Sequence, residues 1–354
     1  MYAPIYEKAM RADKKLYQFM YDRIPEKIKD KRVLEIATGP GLLAKHIAHA
    51  ASEMIATDYS EGMIREGIAN DIVLIDINKD KARAEADDIR HGIAAMGESA
   101  VRAGSYADCA DCDLIIVTAG RNRLPNESRL DMIQDNIGIM KDVSDEIARY
   151  YTRGAVMIVS NPVDLLTYYC DRRLGLPNGT VFGTGCILDT SRLVRAAADH
   201  FNIRAAAVNG YIIGEHGESQ VPVWSAMKVS GVAVEEYCLK KHLKWDASIK
   251  ATIQTRVKNL GTNIISAKGR THYGIATCVC MLTDAIINHK NVIASVSSPL
   301  TGEYGIDGVA LSLPSKLCKN GVAERIITEL EGKELDALYK SAEKLKNALA
   351  EMSN

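Results

Sequence analysis

The chain has 354 residues, enough for two domains or one large one. Its 47% hydrophobic and 25% charged residues are the proportions of an ordinary globular protein, not of a disordered or fibrous one. A net charge of −1 with no long run of one sign argues against a nucleic-acid surface, and no stretch approaches the ~20 apolar residues of a membrane span.

Residues 1 to 32 carry charges throughout and lack the apolar centre of a signal peptide, so a cytoplasmic location is expected. Residues 4 to 24 read as an amphipathic helix, stopped or kinked at Pro25. A short strand at 33 to 37 leads into Thr38-Gly-Pro-Gly41 and a helix from about Leu42. A second strand at 54 to 57 ends in Asp58, 17 residues after Gly41. Strand, glycine turn and helix place backbone N–H groups against an anionic or polar ligand. The acid is then placed to accept ribose hydroxyls.

Two readings compete for this unit. Gly39, Gly41 and Ala44 satisfy the G-x-G-x-x-[GA] dinucleotide pattern, which alone is weak. The wider text, with Glu35 before the turn and Asp58 followed by Tyr-Ser-Glu-Gly-Met-Ile, resembles the start of class I S-adenosylmethionine-dependent methyltransferases. Ala37 departs from the glycine usual there.

Another strand, near 73 to 75, ends in Asp76, so two strand-plus-acid endings stand 18 residues apart where a dinucleotide fold needs one. A helix is expected over 79 to 96 and a strand near Val101. Strands at 113 to 118 and 155 to 160 flank a polar loop, 121 to 130, and an amphipathic helix, 131 to 151. This alternation predicts an α/β fold with a doubly wound parallel sheet. Ligands in such sheets bind beyond the carboxyl ends of the strands, where Ala119, Gly120 and Asn161 fall. From about Val163 the character changes to a mixed α+β region. Strands are expected at 208 to 213, 292 to 297 and 309 to 313, with helices at 246 to 267, 273 to 289 and 336 to 352. Of eight cysteines, Cys109 and Cys112 form a C-x-x-C pair with no second pair at zinc spacing, so free thiols and no metal site are expected.

The chemistry centres on Ile212-Ile-Gly-Glu-His-Gly-Glu-Ser219. A strand stopping at Gly214 would present His216 on a tight connection, and histidine suits proton transfer because its unperturbed pKa is ~6.5. Upstream, Asp189 and Arg192 stand three apart, on one face of a helix over 189 to 200. An acid to orient the imidazole, an arginine to hold a carboxylate and a histidine to move a proton form a consistent set.

From about Gly67 to the end the chain resembles the lactate/malate dehydrogenase family. The matching segments are Val73-Leu-Ile-Asp76, Val117-Thr-Ala-Gly120, Glu127-Ser-Arg-Leu-Asp131, Ser160-Asn-Pro-Val-Asp164, Leu188-Asp-Thr-Ser-Arg192, Gly214-Glu-His-Gly-Glu-Ser219, and Lys268-Gly-Arg-Thr271 with Tyr273-Gly-Ile-Ala276. The resemblance implies a Rossmann-like nucleotide domain, a mixed catalytic domain, NAD as cofactor and hydride transfer on a 2-hydroxy acid. It implies that His216 moves the hydroxyl proton, Asp189 orients it, and Arg192 grips the substrate carboxylate. Arg129 would stabilise the developing alkoxide, and Asn161 would donate to the same oxygen or position the nicotinamide. Arg123 occupies the position that discriminates the substrate's far end, where arginine accompanies malate and glutamine accompanies lactate enzymes. Glu127 and Thr271 look lactate-type, while Leu124 and Asn126 depart from the usual lysine and glycine. The substrate stays open between pyruvate and oxaloacetate.

The family's own first strand and glycine fingerprint are missing from this pattern. The economical reading is a chimera: a methyltransferase-like segment, 1 to 66, begins the nucleotide domain. Residues 67 to 162 complete it, and 163 to 354 form the substrate domain. Keeping turn and acid in one unit assigns the pyrophosphate to Gly39 and Gly41 and the ribose to Asp58. Asp76 is left one strand further out. Glu35 and Asp58 could instead serve S-adenosylmethionine, and an inactive scaffold is the third class. A homo-oligomer, tetramer or dimer, is implied by the resemblance, with a small 2-hydroxy or 2-oxo acid as the only partner.

Overall fold

The computed structural model describes residues 32–34, 53–55, 68–93, 100–121, 129–268 and 271–352. The expected helix over 4 to 24 and the candidates Glu35, Gly39, Gly41, Asp58 and Arg123 lie outside them. The chain divides into two compact units, Met1–Gly62 and Met63–Asn354. Within the first, β1 (Arg32–Leu34) and β2 (Glu53–Ile55) pair in parallel, Val33 opposite Met54. The glycine turn and helix expected between them lie outside the described residues.

The second unit begins with β3 (Asp71–Leu74), α1 (Lys79–Ile93) and β4 (Ala100–Ala103). β3 and β4 pair in parallel, Ile72 opposite Val101, over a small core of Ala86 and Val101 backed by Ile72, Leu74 and Ile89. Then come β5 (Leu114–Val117), α2 (Arg129–Tyr150), β6 (Ala155–Ile158), α3 (Val163–Leu174) and β7 (Val181–Gly183). α2 starts two residues earlier than the sequence suggests. β7 and α3 are elements that the sequence reading passes over.

The main sheet has six strands in the order β15-β14-β13-β7-β6-β5. β5, β6 and β7 are parallel, and β13 (Ile293–Thr301), β14 (Asp307–Cys318) and β15 (Gly321–Arg325) continue the same sheet antiparallel. The strands from the mixed region thus extend the parallel sheet. Among the described residues no ladder joins β3 to β5.

β6 shows why the sheet is covered on both faces. Its residues are all fully buried, and they alternate between two cores, as the two-residue period of a strand demands. Ala155 and Met157 meet Val279, Leu282 and Ile286 of α7 (Tyr273–Ile287). Val156 and Ile158 meet Met140 and Ile147 of α2 and Leu166 of α3. A third core packs Leu338, Ala342 and Leu345 of α8 (Gly332–Met352) against Leu311 and Leu313 of β14.

α4 (Ile187–Phe201) buries Leu193, Ala196, Ala197 and Phe201 and ends at Asn202, whose left-handed backbone lets its N–H cap Ala198 and Asp199. The expected single strand over 208 to 213 is two strands. β8 (Val208–Asn209) joins β11 (Lys228–Val229) and β12 (Val232–Ala233). β9 (Ile212–Ile213) pairs instead with β10 (Val221–Pro222). Val208, Ile212 and Ile213 are buried, but Asn209 is exposed and the chain changes sheets at Gly210 and Tyr211. α5 (Val234–Lys241) and α6 (Ala247–Lys268) complete the unit.

Candidate active site

A cavity of about 470 Å³ opens beyond the carboxyl ends of β5, β6 and β7. Thr118 and Gly120 follow β5, Ser160 and Asn161 follow β6, and Thr184 and Gly185 follow β7. α4 contributes Leu188 and Arg192, the loop after β9 contributes His216, and Gly261, Ile265, Thr271 and Ile275 close the far side. The sequence-predicted residues Gly120, Asn161, Arg192, His216 and Thr271 therefore share one cleft, as expected for a sheet whose ligands bind at its carboxyl end.

β9 ends at Ile213, and Gly214 turns the chain with φ +87° while pairing with Ser312 of β14. A side chain at Gly214 would bring its Cβ within 2.9 Å of Ser341 Oγ, so both the backbone angle and the space call for glycine. Two residues on, His216 Nδ1 lies 2.5 Å from Asp189 Oδ2. A charged carboxylate only accepts, so Nδ1 carries the proton of the neutral ring, and Nε2 is the nitrogen available to a substrate. Arg192 donates to the other oxygen of Asp189 at 3.0 Å. Asp189 is thus the hub of the expected set, with its side chain only 2% exposed, against 14% for Arg192 and 24% for His216.

Burial alone would lift the Asp189 carboxyl, but His216 and Arg192 beside it hold it below its ordinary value. Burial alone would depress the His216 imidazole, but Asp189, through charge and hydrogen bond, raises it above the ordinary histidine value, with Asp164 adding to the rise and Arg192 opposing it. The pair thus favours imidazolium, the form needed to give a proton to a carbonyl oxygen.

Asn161 is held indirectly. Asn136, buried in α2, donates to the Asn161 carbonyl at 2.9 Å and to the Arg121 carbonyl at 3.2 Å, while its own oxygen accepts the Arg121 N–H at 2.8 Å. Asn136 thereby ties the ends of β5 and β6 together. Sequence reasoning missed it, although a polar residue on the apolar face of an amphipathic helix was the available signal. Ser160 Oγ donates to the Ala119 carbonyl at 2.5 Å, which places Ala119 beside the cleft. Arg129 opens α2, and its side chain lies outside the described residues.

Asp76 stands just beyond β3. Its carboxylate accepts the Asn78 N–H at 2.8 Å and pairs with Lys81 at 3.2 Å. The Asn78 hydrogen bond, with Lys81 assisting, holds it below the ordinary carboxylate range.

The chain matches the family model described as lactate/malate dehydrogenase, NAD binding domain, over residues 49–183. It matches the alpha/beta C-terminal domain of the same family over residues 186–354. The first match starts ahead of Gly67, so part of the stretch before that residue also carries likeness to the family. An L-lactate dehydrogenase of Clostridium perfringens is 41% identical over 288 residues, covering 81% of this chain and 91% of that protein. One from Priestia megaterium is 37% identical over 302 residues, covering 85% and 95%. Among solved structures, a lactate dehydrogenase from a Medee basin deep-sea metagenome library aligns with a TM-score of 0.80 at 34% identity, covering 84% of this chain and 95% of that one. The minor L-lactate dehydrogenase of Enterococcus mundtii in its ligand-bound form gives 0.78 at 35%, covering 83% and 96%. With both halves of the fold matched by the family's two domain models, the chain belongs to the lactate/malate dehydrogenase family.

Proposed function

We propose that this chain is an NAD-dependent 2-hydroxy acid dehydrogenase of the L-lactate/L-malate type, with His216, Asp189 and Arg192 as its proton-transfer and carboxylate-binding set. The observation that carries the proposal is the Asp189 carboxylate shared by His216 and Arg192 at the edge of the strand-end cavity. The described part of the cleft fits the nicotinamide end of NAD. Gly120 has φ +154°, a backbone angle that favours glycine, and it lines the cavity at the strand end beside Asn161. Nicotinamide, when bound, supplies the hydride acceptor or donor.

The chain's own residues do the rest. Arg192 presents a two-pronged donor to the substrate carboxylate. His216 Nε2 takes the hydroxyl proton in oxidation and returns it to the carbonyl oxygen in reduction. Asp189 stabilises the imidazolium between the two. Arg129 and Asn161 are assigned to the carbonyl oxygen, and Thr271 to the substrate's far side. The ribose we assign to Asp76 over Asp58. Asp76 belongs to the unit that holds the cleft, ends a parallel strand, and is kept charged.

The relatives are named L-lactate dehydrogenases, which supports pyruvate as the first substrate to test. Arg123 supports oxaloacetate instead, because an arginine there can pair with a second carboxylate. A hydrogen bond to a charged group is worth ~1.5–3 kcal/mol. Arg123→Gln should therefore shift kcat/KM from oxaloacetate toward pyruvate by roughly tenfold to a hundredfold. A strong preference for pyruvate in the unmodified protein contradicts this role for Arg123. NADH oxidation with each acid is the deciding assay.

The domain limits 67–162 and 163–354, a dimer or tetramer, and a cytoplasmic location complete the proposal. Among the described residues no helix is long and apolar enough to cross a membrane. A methyltransferase-like origin for residues 1 to 66, with S-adenosylmethionine held by Glu35 and Asp58, rests on the motif text alone. Calorimetry with NADH and with S-adenosylmethionine separates the two cofactors, and binding of NADH only is expected.

A further inference from the structure

Asp164 sits in the first turn of α3, three residues after Asn161, and its side chain is buried. Its Oδ2 accepts the backbone N–H of His216 at 2.7 Å across 52 positions of sequence. Among the described residues no well-formed hydrogen bond reaches its Oδ1 or the buried hydroxyl of Thr167, one helical turn on, and the buried Ser297 of β13 offers at most a weak one. A carboxylate in such surroundings is expensive. Its place at a helix N-terminus offsets part of that cost. An amide or hydroxyl would accept one N–H at lower cost. What a carboxylate adds is charge, and the cation within reach of that charge is the His216 imidazolium.

We propose that Asp164 is a positioning residue for the dehydrogenase reaction, a second buried carboxylate that fixes the His216 backbone and favours the protonated imidazole from behind. It rests on the reading of His216 as the proton-transfer group. One short segment, Ser160 to Asp164, then serves both sides of the chemistry: Asn161 lines the cavity and Asp164 anchors the histidine.

The groups around the pair are few. Asp189 and Arg192 of α4 face His216, the first supporting its charge and the second opposing it. Asp164 is faced by His216 and Glu215 of the loop and by Ser297. The buried Cys186 thiol, ahead of α4, lies within its influence as well. Glu215 is paired with Lys344 of α8 at 2.8 Å, which blunts its repulsion of Asp164. Burial pushes Asp164 up to about 6, against the pull of Ser297 and His216. Its charge is therefore present at neutral pH and is withdrawn in mild acid.

The test is a histidine Cε1–H NMR titration of the cofactor-free protein, with the His216 signal identified by its loss in His216→Gln. The unmodified protein should show a main step above the ordinary histidine value and a smaller step near pH 6 as Asp164 takes its proton. In Asp164→Asn, whose amide oxygen still accepts the His216 N–H, the smaller step should vanish and the main step should move to lower pH. In turnover, the alkaline limb of kcat for pyruvate or oxaloacetate reduction should move the same way. A one-step curve in the unmodified protein, or an unshifted midpoint in Asp164→Asn, overturns the proposal. If Asp164→Asn does not fold, the unmodified curve alone decides. If no NADH oxidation occurs with either acid, the dehydrogenase reading fails, while the titration still decides the role of Asp164.

Discussion

His216 and Asp76 both stand at the end of a strand, yet they are held in very different ways. The His216 loop is fixed by four elements: Asp189 of α4, Asp164 of α3, Ser312 of β14, and Ser341 of α8, which accepts the Glu215 N–H at 2.8 Å. The hydrogen bonds and ion pair of the Asp76 side chain, among the described residues, come from Asn78 and Lys81, within five positions of it. The His216 loop leaves β9, whose Ile212 and Ile213 are buried in two large cores. Beneath β3 two residues are buried, and Ile75 and Ile77 just beyond it are exposed. The His216 end is thus held by elements distant in sequence, and the Asp76 end by local contacts. Chemistry should therefore be sensitive to distant substitutions that loosen the loop, and cofactor affinity to local ones.

The largest effect is expected at the hub. Asp189→Asn removes the charge that orients His216 and favours its protonated form, so kcat should fall by roughly a hundredfold or more. The sign of the pH effect follows from the same contact. Asp189 raises the imidazole, so its loss lowers the pH above which His216 is neutral. Reduction needs the protonated ring, and its alkaline limb should move to lower pH. Stability has the matching sign: the contribution of His216 is full below its unfolded value of ~6.5 and is lost as pH rises through the raised folded value. An unchanged pH profile in Asp189→Asn contradicts the role of the hub.

A smaller effect is expected at Arg192. Lysine keeps the charge and loses the planar fork. Arg192→Lys should lower kcat/KM for the 2-oxo acid by roughly tenfold to a hundredfold, mostly through KM, with NADH affinity unchanged. A fall in NADH affinity of similar size would place Arg192 on the cofactor instead.

The smallest effect is expected at the ribose end. Asp76→Ala should weaken NADH binding by about tenfold, measured by calorimetry, the size of one hydrogen bond to a charged group. Asp58→Ala should leave it within about twofold, since ~0.4 kcal/mol lies below the value of such a bond. The reverse pattern would return the ribose to Asp58 and the phosphate cradle to Gly39 and Gly41.

Local features were legible in the sequence because their causes are local. Asp189 and Arg192 are one helical turn apart, and Gly214 marks the stop before His216, so both could be read from spacing and residue type. The strands of the main sheet announced themselves as apolar runs because helices cover both faces. What could not be read depends on residues distant in sequence. Asp164 reaches His216 across 52 positions and Ser341 reaches Glu215 across 126, and no periodicity encodes either contact. β7 is three residues long, too short to show a period of two. The break between β8 and β9 is hard to read because each half is only two residues long, too short to show a period. The sequence favours Asp58 for the ribose only by keeping turn and acid in one unit, since it offers two strand-plus-acid endings of the same form.

NADH oxidation by the unmodified protein and by His216→Ala, with pyruvate and with oxaloacetate, tests the central claim most directly. The unmodified protein should turn over at least one of the two acids. His216→Ala should lose roughly a hundredfold to ten-thousandfold in kcat while binding NADH as tightly as before. Turnover retained within about twofold in His216→Ala, far short of what acid–base catalysis contributes, contradicts the assignment.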